Sequence, residues 1–415
     1  MRGNVLVMTI CECVWRSTVD IVWPFLSLYV LALGGNYQTI GLIMSGASFA
    51  SMVLYPLGGY IADYQGRIKL IGYMTFFYAI AFLVTGLGES WQWLALGLFV
   101  QNLTTFYWPA IQALMADSIH PSQRGVGFAA LEAIPSAFGL IAPIAGAWLI
   151  GYLGMKTAMR GLFLSSFLIA SVIALFRLKF LKETIENPQK LNLSINGVLT
   201  LLVKAYKGII QTLMNVTRDL WVLSILVTAL IFAASFTSSF WIVRATSIIG
   251  LNIQEWGTVI FVSGATGVIL GIPVGRIIDR LSKRIVIGCC IIVGSLMVFL
   301  FLRASTFNEV VMLAIASAII DAFLNPSLRS LFADLIPRNT RGRTMALIGG
   351  GGIMLMRGVH ATSIIGKIFQ TVGMLASGYL YSYNNSIPWL ILSSTMALIG
   401  ICFLLIVRDP EKPEV

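Results

Sequence analysis

Ionisable side chains are what this chain has least of. Only 11% of its 415 residues are Asp, Glu, Lys or Arg, and only two, His120 and His360, are histidine; an ordinary globular domain is about a quarter charged. With 58% hydrophobic residues and a mean hydropathy of +0.88, there is too little polar surface to cover a water-soluble globule, and lipid is the expected solvent. The scarcity also removes chemistry. No G-x-S-x-G, HExxH or phosphate-binding glycine loop occurs, which leaves an enzyme or an ATP-driven pump without its nucleophile, metal or nucleotide site. Cys11, Cys13, Cys289, Cys290 and Cys402 lie inside apolar stretches without zinc or redox spacing. They read as buried thiols, so neither a metal nor a cofactor is expected.

Long apolar runs are what the chain does have. Twelve are long enough to cross about 30 Å of hydrocarbon as helix: 4–33, 38–62, 70–88, 91–117, 125–152, 157–177, 219–250, 252–278, 285–303, 308–335, 357–383 and 385–407. The first carries Glu12, Arg16 and Asp20 and no small-residue cleavage site, so it is expected to be retained as a helix. With the N-terminus placed inside, twenty basic residues fall on the cytoplasmic face, Arg177 and the other basic residues of the middle linker among them. Lys156, Arg160 and Arg303 fall on the opposite face. That asymmetry predicts a multi-pass cell-membrane protein with both termini cytoplasmic. The net charge of +11 is thereby assigned to orientation and to anionic headgroups, not to nucleic acid.

The chain also repeats itself. GGYIADYQGRIK, from Gly58 to Lys69, and PVGRIIDRLSKR, from Pro273 to Arg284, are related by a shift of 216: Asp63 maps to Asp279 and Gly72 to Gly288. Pro109, Asp117 and Arg124 recur as Pro326, Asp334 and Arg341 after a shift of 217. Self-similarity at half the chain length in an apolar sequence is the mark of two homologous transporter halves. The expected organisation is an all-α membrane protein of twelve spans in two pseudo-symmetric six-helix bundles, 1–178 and 219–408. A cytoplasmic linker with an interfacial amphipathic helix covers 179–218, and a cytoplasmic tail 409–415. The halves differ in one place. Arg124 to Gly146 is 22 residues, whereas Arg341 to the matching Gly378 is 37, so about fifteen residues are inserted. They include Gly349 to Gly352, which predict a broken or re-entrant segment, or a gate, at the start of the eleventh span. Gly267, Gly271 and Gly275 recur at intervals of four and suggest close helix packing.

GGYIADYQGRIK resembles the loop signature G-G-x-L-A-D-R-x-G-R-R-K of the major facilitator superfamily, matching at Gly58, Gly59, Ala62, Asp63, Gly66, Arg67 and Lys69. The second copy keeps Gly275, Asp279, Arg280, Lys283 and Arg284 but has Ser282 in place of the glycine. The resemblance spans nearly the whole chain and implies two bundles that rock about a central site, driven by an ion gradient. It also implies a conformational latch of Gly59, Asp63, Gly66, Arg67, Asp117 and Arg124, with Gly275, Asp279, Lys283, Asp334 and Arg341 as the second copy. Arg67 in such a latch can pair with Asp117. Two features depart from the drug exporters of that superfamily. The fourth span, LGLFVQNLTTFYWPA, lacks their arginine, and Ala142-Pro143-Ile144-Ala145-Gly146 is a degraded form of their G-P-x-x-G-G. An organic-phosphate exchanger would present matched arginines on its first and seventh spans, but Arg16 maps to Phe232 and Arg244 lies twelve residues further on.

Ionisable groups in mid-span are functional candidates by default. Glu12, Arg16 and Asp20 lie at i, i+4 and i+8 on the first span, and Asp321, Asn325 and Arg329 repeat the spacing on the tenth. Glu132 lies about two turns into the fifth. Arg16 can neutralise one carboxylate of its stripe, and the other then needs a proton, a cation or another arginine. Gln101, Thr105 and Trp108 share a face of the fourth span, and Phe236 with Trp15, Trp23, Phe240 and Trp241 could line a pocket for an apolar or cationic compound. These residues form the candidate substrate and proton cavity. The expected protein is a monomeric secondary transporter that works by alternating access, a proton-coupled exporter of small hydrophobic or cationic compounds. An uptake carrier or uniporter for a sugar or other metabolite, and a transporter-like receptor that does not translocate, remain open as alternatives.

Overall fold

Prolines and short turns, more than any change in hydropathy, decide where this helical protein is interrupted. The computed structural model describes residues 3–64, 66–120, 124–185, 203, 216–278, 281–336, 341–348 and 352–408. The helices are α1 (Gly3–Asp20), α2 (Leu26–Ala32), α3 (Tyr37–Tyr64), α4 (Arg67–Leu87), α5 (Trp91–Thr104), α6 (Trp108–Ser118), α7 (Arg124–Gly139), α8 (Ala142–Leu153) and α9 (Met155–Phe180). After the linker come α10 (Arg218–Ser235), α11 (Trp241–Ser247), α12 (Ile253–Ile278), α13 (Lys283–Arg303), α14 (Phe307–Leu335) and α15 (Arg341–Ile348). A hairpin of β1 (Gly352–Met354) and β2 (Gly358–His360) precedes α16 (Ile364–Tyr383) and α17 (Ile387–Ile406).

Four spans expected to be continuous are each divided. The first breaks at a 3-10 turn over Trp23–Phe25 that contains Pro24, and the fourth at a 3-10 turn over Thr105–Tyr107, just before Pro109. The fifth restarts with Pro143 in the first turn of α8, and the seventh pauses between Ser235 and Trp241. Proline lacks the N–H that an interior helical position must donate, but it suits the first turn of a new helix. Among the described residues, nine helices are long and apolar enough to cross a membrane. The expected spans 4–33 and 91–117 are the divided ones outside that set, and 357–383 is shortened to α16 by the hairpin that precedes it.

The chain forms two compact units, residues 1–34 with 46–208, and residues 35–45 with 209–415. In the first, α4 packs against α9 and α5, while α1 packs against α7 and α9; Met8, Ile71, Tyr107 and Leu114 lie at its core. In the second, α13 packs against α17, α12 against α14, and α10 against α16. The Gly72/Gly288 match in the sequence has a structural cause. A Cβ at Gly72 would overlap Leu178 of α9, and one at Gly288 would overlap Leu404 of α17, so each glycine admits a leucine from the last helix of its own unit. The stripe Gly267, Gly271 and Gly275 does not behave this way. A Cβ at any of the three would meet nothing within 4 Å among the described residues, which corrects the packing role expected for them.

Candidate functional site

The charged stripe of α1 is divided between two arginines. Arg16 Nε donates to Asp20 Oδ2 at 2.9 Å, and Gly139 of α7 leaves room for that pair, since a Cβ there would stand 2.7 Å from Asp20 Oδ2. Glu12, the carboxylate left over, accepts from Arg177 Nη2 at 2.6 Å. Arg177 Nη1 donates to Thr75 Oγ1 at 2.9 Å, and the guanidinium lies 5.8 Å from the centre of the Trp15 ring. Arg177 was expected in the basic linker. It belongs instead to α9, where its side chain is 1% exposed. A charge that deep in an apolar bundle is stable only with a partner and hydrogen bonds, and Glu12 and Thr75 supply both.

At one end of the first unit, Gly66 (φ 93°) turns the chain from α3 into α4, a left-handed conformation that glycine adopts without steric cost. Arg67, immediately after the turn, is buried and pairs with Asp117 at the end of α6; its Nη1 also donates to Thr184 Oγ1 at 2.9 Å. The segment after α9 closes over this point. Glu183 Oε2 accepts from the Ile68 N–H at 3.1 Å. Asn4 Nδ2 donates to the Lys182 carbonyl at 2.8 Å, and Asn4 Oδ1 accepts from the Lys182 N–H at 2.7 Å. In the second unit Lys283 pairs with Asp334, and Ser282, standing where the signature has glycine, caps α13 by accepting from the Ile285 N–H at 3.4 Å. Gly275 lies half-buried in α12. Asp279 lies outside the described residues, as do the side chains of Asp63, Arg124 and Arg341 and the surroundings of Gly59.

The fourth-span residues Gln101, Thr105 and Trp108 have different surroundings. A 3-10 turn over Thr105–Tyr107 lies between α5 and α6. Gln101 is 2% exposed and lines a small cleft of the first unit with Trp23, Tyr78, Phe82 and Phe163. Thr105 Oγ1 turns back to the Asn102 carbonyl at 2.7 Å, and Trp108, 37% exposed, stacks beside Tyr107 with ring centres 6.1 Å apart. Glu132 is exposed on α7. Phe236 is buried against Phe232 at 4.9 Å, and Phe240 and Trp241 are core residues, stacked on Tyr381 at 4.4 Å and packed on Phe301 at 4.7 Å. These three rings pack within the second unit. On α14, Asn325 Nδ2 donates to the Asp321 carbonyl at 3.1 Å and Arg329 is exposed.

A sequence profile of the Major Facilitator Superfamily matches residues 8–359 and 223–415. The chain belongs to the major facilitator superfamily. Its members are transporters, not enzymes. Relatives of this superfamily member include Multidrug resistance protein 2 of Bacillus subtilis, 20% identical over 95% of this chain and 92% of its own length. Another is Multidrug resistance protein MdtG of Salmonella paratyphi C, 23% identical over 89% and 92%. A crystal structure of a mutant of the nucleoside transporter NupG superposes with a TM-score of 0.70 at 17% identity, covering 97% of this chain and all of that one. At that identity the likeness concerns the fold.

Two further arginines hold helix ends in this facilitator. Arg244, buried in α11, donates to the Leu302 carbonyl at the end of α13 at 2.9 Å and lies 5.2 Å from the Trp389 ring centre. Arg160 of α9 donates to the Gly86 carbonyl at the end of α4 at 3.3 Å, and to Glu89 at 3.1 Å. The inserted residues form the β1–β2 hairpin, packed on α14 and α10, where the sequence suggested a broken or re-entrant segment, or a gate; Gly349 to Gly351 lie outside the described residues. Asp321, on the α14 helix that the hairpin packs against, has a buried Oδ1 with no hydrogen bond among the described residues.

Proposed function

We propose that this transporter exports small hydrophobic or cationic compounds in exchange for protons, as a monomer in the cell membrane with both termini in the cytoplasm. The observation that carries this reading is the near full-length similarity to multidrug resistance relatives at 20% and 23% identity. Carboxyl groups inside the apolar spans, Asp20 on α1 and Asp321 on α14, are the groups suited to carry the proton, because an ionised group in the membrane interior is costly unless it is paired or neutralised. Gln101 and Trp23, in a cleft otherwise walled by aromatic and aliphatic side chains, fit an apolar compound better than a sugar, which would leave its hydroxyls unpaired. The two halves meet in sequence at the linker 179–218, whose basic residues suit anionic headgroups. No cofactor beyond the proton gradient enters the reading.

The test is proteoliposomes containing the full chain and an imposed pH gradient, with ethidium as a cationic probe and a neutral aromatic dye as the uncharged one. Gradient-driven movement of either, abolished by collapsing the gradient with a protonophore, supports exchange. Counterflow that proceeds equally without a gradient supports a uniporter, and the absence of counterflow with binding intact supports a receptor.

A further inference from the structure

An amide in the middle of a membrane span is costly unless it is paired, because hydrocarbon supplies neither donors nor acceptors. Gln101 stands ten residues from the start of α5 at Trp91, about 15 Å along the helix, and it is 2% exposed. The polar side chains beside it turn back on their own helix. Asn102 Nδ2 donates to the Leu98 carbonyl at 2.9 Å, Thr104 Oγ1 to the Gln101 carbonyl at 2.7 Å, and Thr105 Oγ1 to the Asn102 carbonyl at 2.7 Å. Gln101 does otherwise. Its Nε2 is buried with no hydrogen bond among the described residues, and its side chain lines the cleft of the first unit.

The walls around that amide are flat and uncharged. Trp23 and Leu26, at the 3-10 turn that interrupts the first span, form one part. Tyr78 and Phe82 of α4 and Phe163 of α9 form an aromatic part, with ring centres 5.2 Å apart for Tyr78 and Phe82 and 6.1 Å for Phe82 and Phe163. Trp23 is 40% exposed, so the cleft is open there and receives one ring or edge of a compound. No charged side chain is among the lining residues, and the carboxylates of α1 are engaged, Glu12 by Arg177 and Asp20 by Arg16. A cation entering the cleft would give up hydration without gaining a counter-charge. A neutral ring bearing a carbonyl gives up little and gains the Gln101 N–H.

We infer that this cleft is a subsite for an uncharged aromatic ring bearing a hydrogen-bond acceptor, such as an aryl ketone, with Gln101 as its specificity-determining residue. Selection runs in the direction that a buried donor imposes: a compound with the acceptor completes the amide, whereas the same skeleton without it leaves the N–H buried and unpaired. All the walls belong to the first unit. The subsite is therefore complete without the second, and binding to it needs no ion gradient. The inference rests on the exporter reading above for the passage of such compounds, and it deepens that reading by assigning the uncharged class, not the cationic one, to this position.

Benzophenone, an aryl ketone that crosslinks on illumination, tests this in the full chain in lipid nanodiscs at neutral pH without a gradient, with labelled peptides mapped by mass spectrometry. Labelling is expected in the peptides that carry Trp23, Phe82 and Leu98. Fluorenone and fluorene share one fused-ring skeleton and differ at the carbonyl, so their competition isolates the acceptor. Fluorenone is expected to suppress the labelling at a concentration roughly threefold to tenfold lower than fluorene, the factor for one hydrogen bond between neutral groups. Ethidium is expected not to suppress it. Gln101→Leu is expected to make the two competitors equal, and Asn102→Leu, whose parent side chain bonds its own helix, to leave their difference intact. Thermal unfolding reports whether each variant is folded, and Gln101→Met replaces Gln101→Leu if that one is not. Equal potency of the two competitors in the wild type, a difference that survives loss of the Gln101 amide, suppression by ethidium, or labelling confined to other peptides would each overturn the inference. Gradient-driven transport of ethidium alongside equal competitors removes this inference alone. Selective competition alongside transport that ignores the gradient removes the proton-linked reading and leaves the subsite standing.

Discussion

The two halves of the chain keep the same contacts at their helix ends and different ones within their bundles. Arg67 and Asp117 are joined in one unit, and Lys283 and Asp334, at shifts of 216 and 217, are joined in the other. Gly72 and Gly288 each admit a leucine from the last helix of their unit. The carbonyls of Gly86 and Leu302, again 216 apart, are each capped by an arginine, although Arg160 comes from the last helix of its unit and Arg244 from the first span of its own. Within the bundles the likeness ends. Glu12 is neutralised by Arg177, while the position matching Glu12 by the same shift of 216 is Thr228. Asp321 keeps a buried, unpartnered Oδ1 among the described residues, while its counterpart in the first half is Thr104. Duplication has preserved what closes the helix ends, and the halves have diverged where charge lies among apolar side chains.

Mutation can break that comparison at its strongest point first. Arg177→Met leaves the Glu12 carboxylate without its cation, and removing one partner of a buried pair costs about 3–5 kcal/mol. Thermal unfolding of the purified protein should show a large loss for Arg177→Met and substantial recovery in the double variant with Glu12→Gln, whereas Thr228→Val in the other half should change little. The shared glycine contact comes next. Gly72→Ala and Gly288→Ala should each destabilise by about 1–3 kcal/mol through overpacking, and Leu178→Ala or Leu404→Ala should relieve only the substitution in its own unit. Unequal effects at the two glycines would sink the claim that the packing itself was duplicated.

Smaller effects sharpen the comparison of the ion pairs. A double-mutant cycle on Lys283 and Asp334, with side chains 22% and 19% exposed, should give a coupling near about 1 kcal/mol, against less for Arg67 and Asp117, where the carboxylate is 44% exposed. Added salt should reduce the second coupling more than the first. The Arg16–Asp20 pair, one helical turn apart with Arg16 44% exposed, should contribute the least, about 0.3–0.5 kcal/mol; substituting either residue should affect transport far more than unfolding if Asp20 carries protons.

The sequence made the membrane class, the duplication and the Arg67–Asp117 pairing legible, because each rests on a residue type that is rare in this chain and recurs at a fixed interval. It made the second carboxylate of α1 legible only as an unanswered need. Arg177, the residue that meets it, lies 165 positions away, and it was assigned to the linker because it stands one turn before Phe180, where an apolar run and a basic segment overlap. Gln101, Thr105 and Trp108 were placed on one continuous helix, and the 3-10 turn between α5 and α6 was not legible in the apolar pattern. The hairpin was legible as an insertion with too much glycine for a helix, but not as β-structure. Its pairing is completed by Gln370, a side chain on α16 that nothing in the local pattern connects with it.

The clasp that Asn4 makes on Lys182, receiving its N–H and giving to its carbonyl as a neighbouring strand would, sets a rule for dividing this protein. Together with Glu183 and Thr184 it assigns residues 181–185 to the first unit, so two co-expressed fragments should be cut beyond Ile185. A cut before Leu181 would strip the amino-terminal fragment of its own fastening.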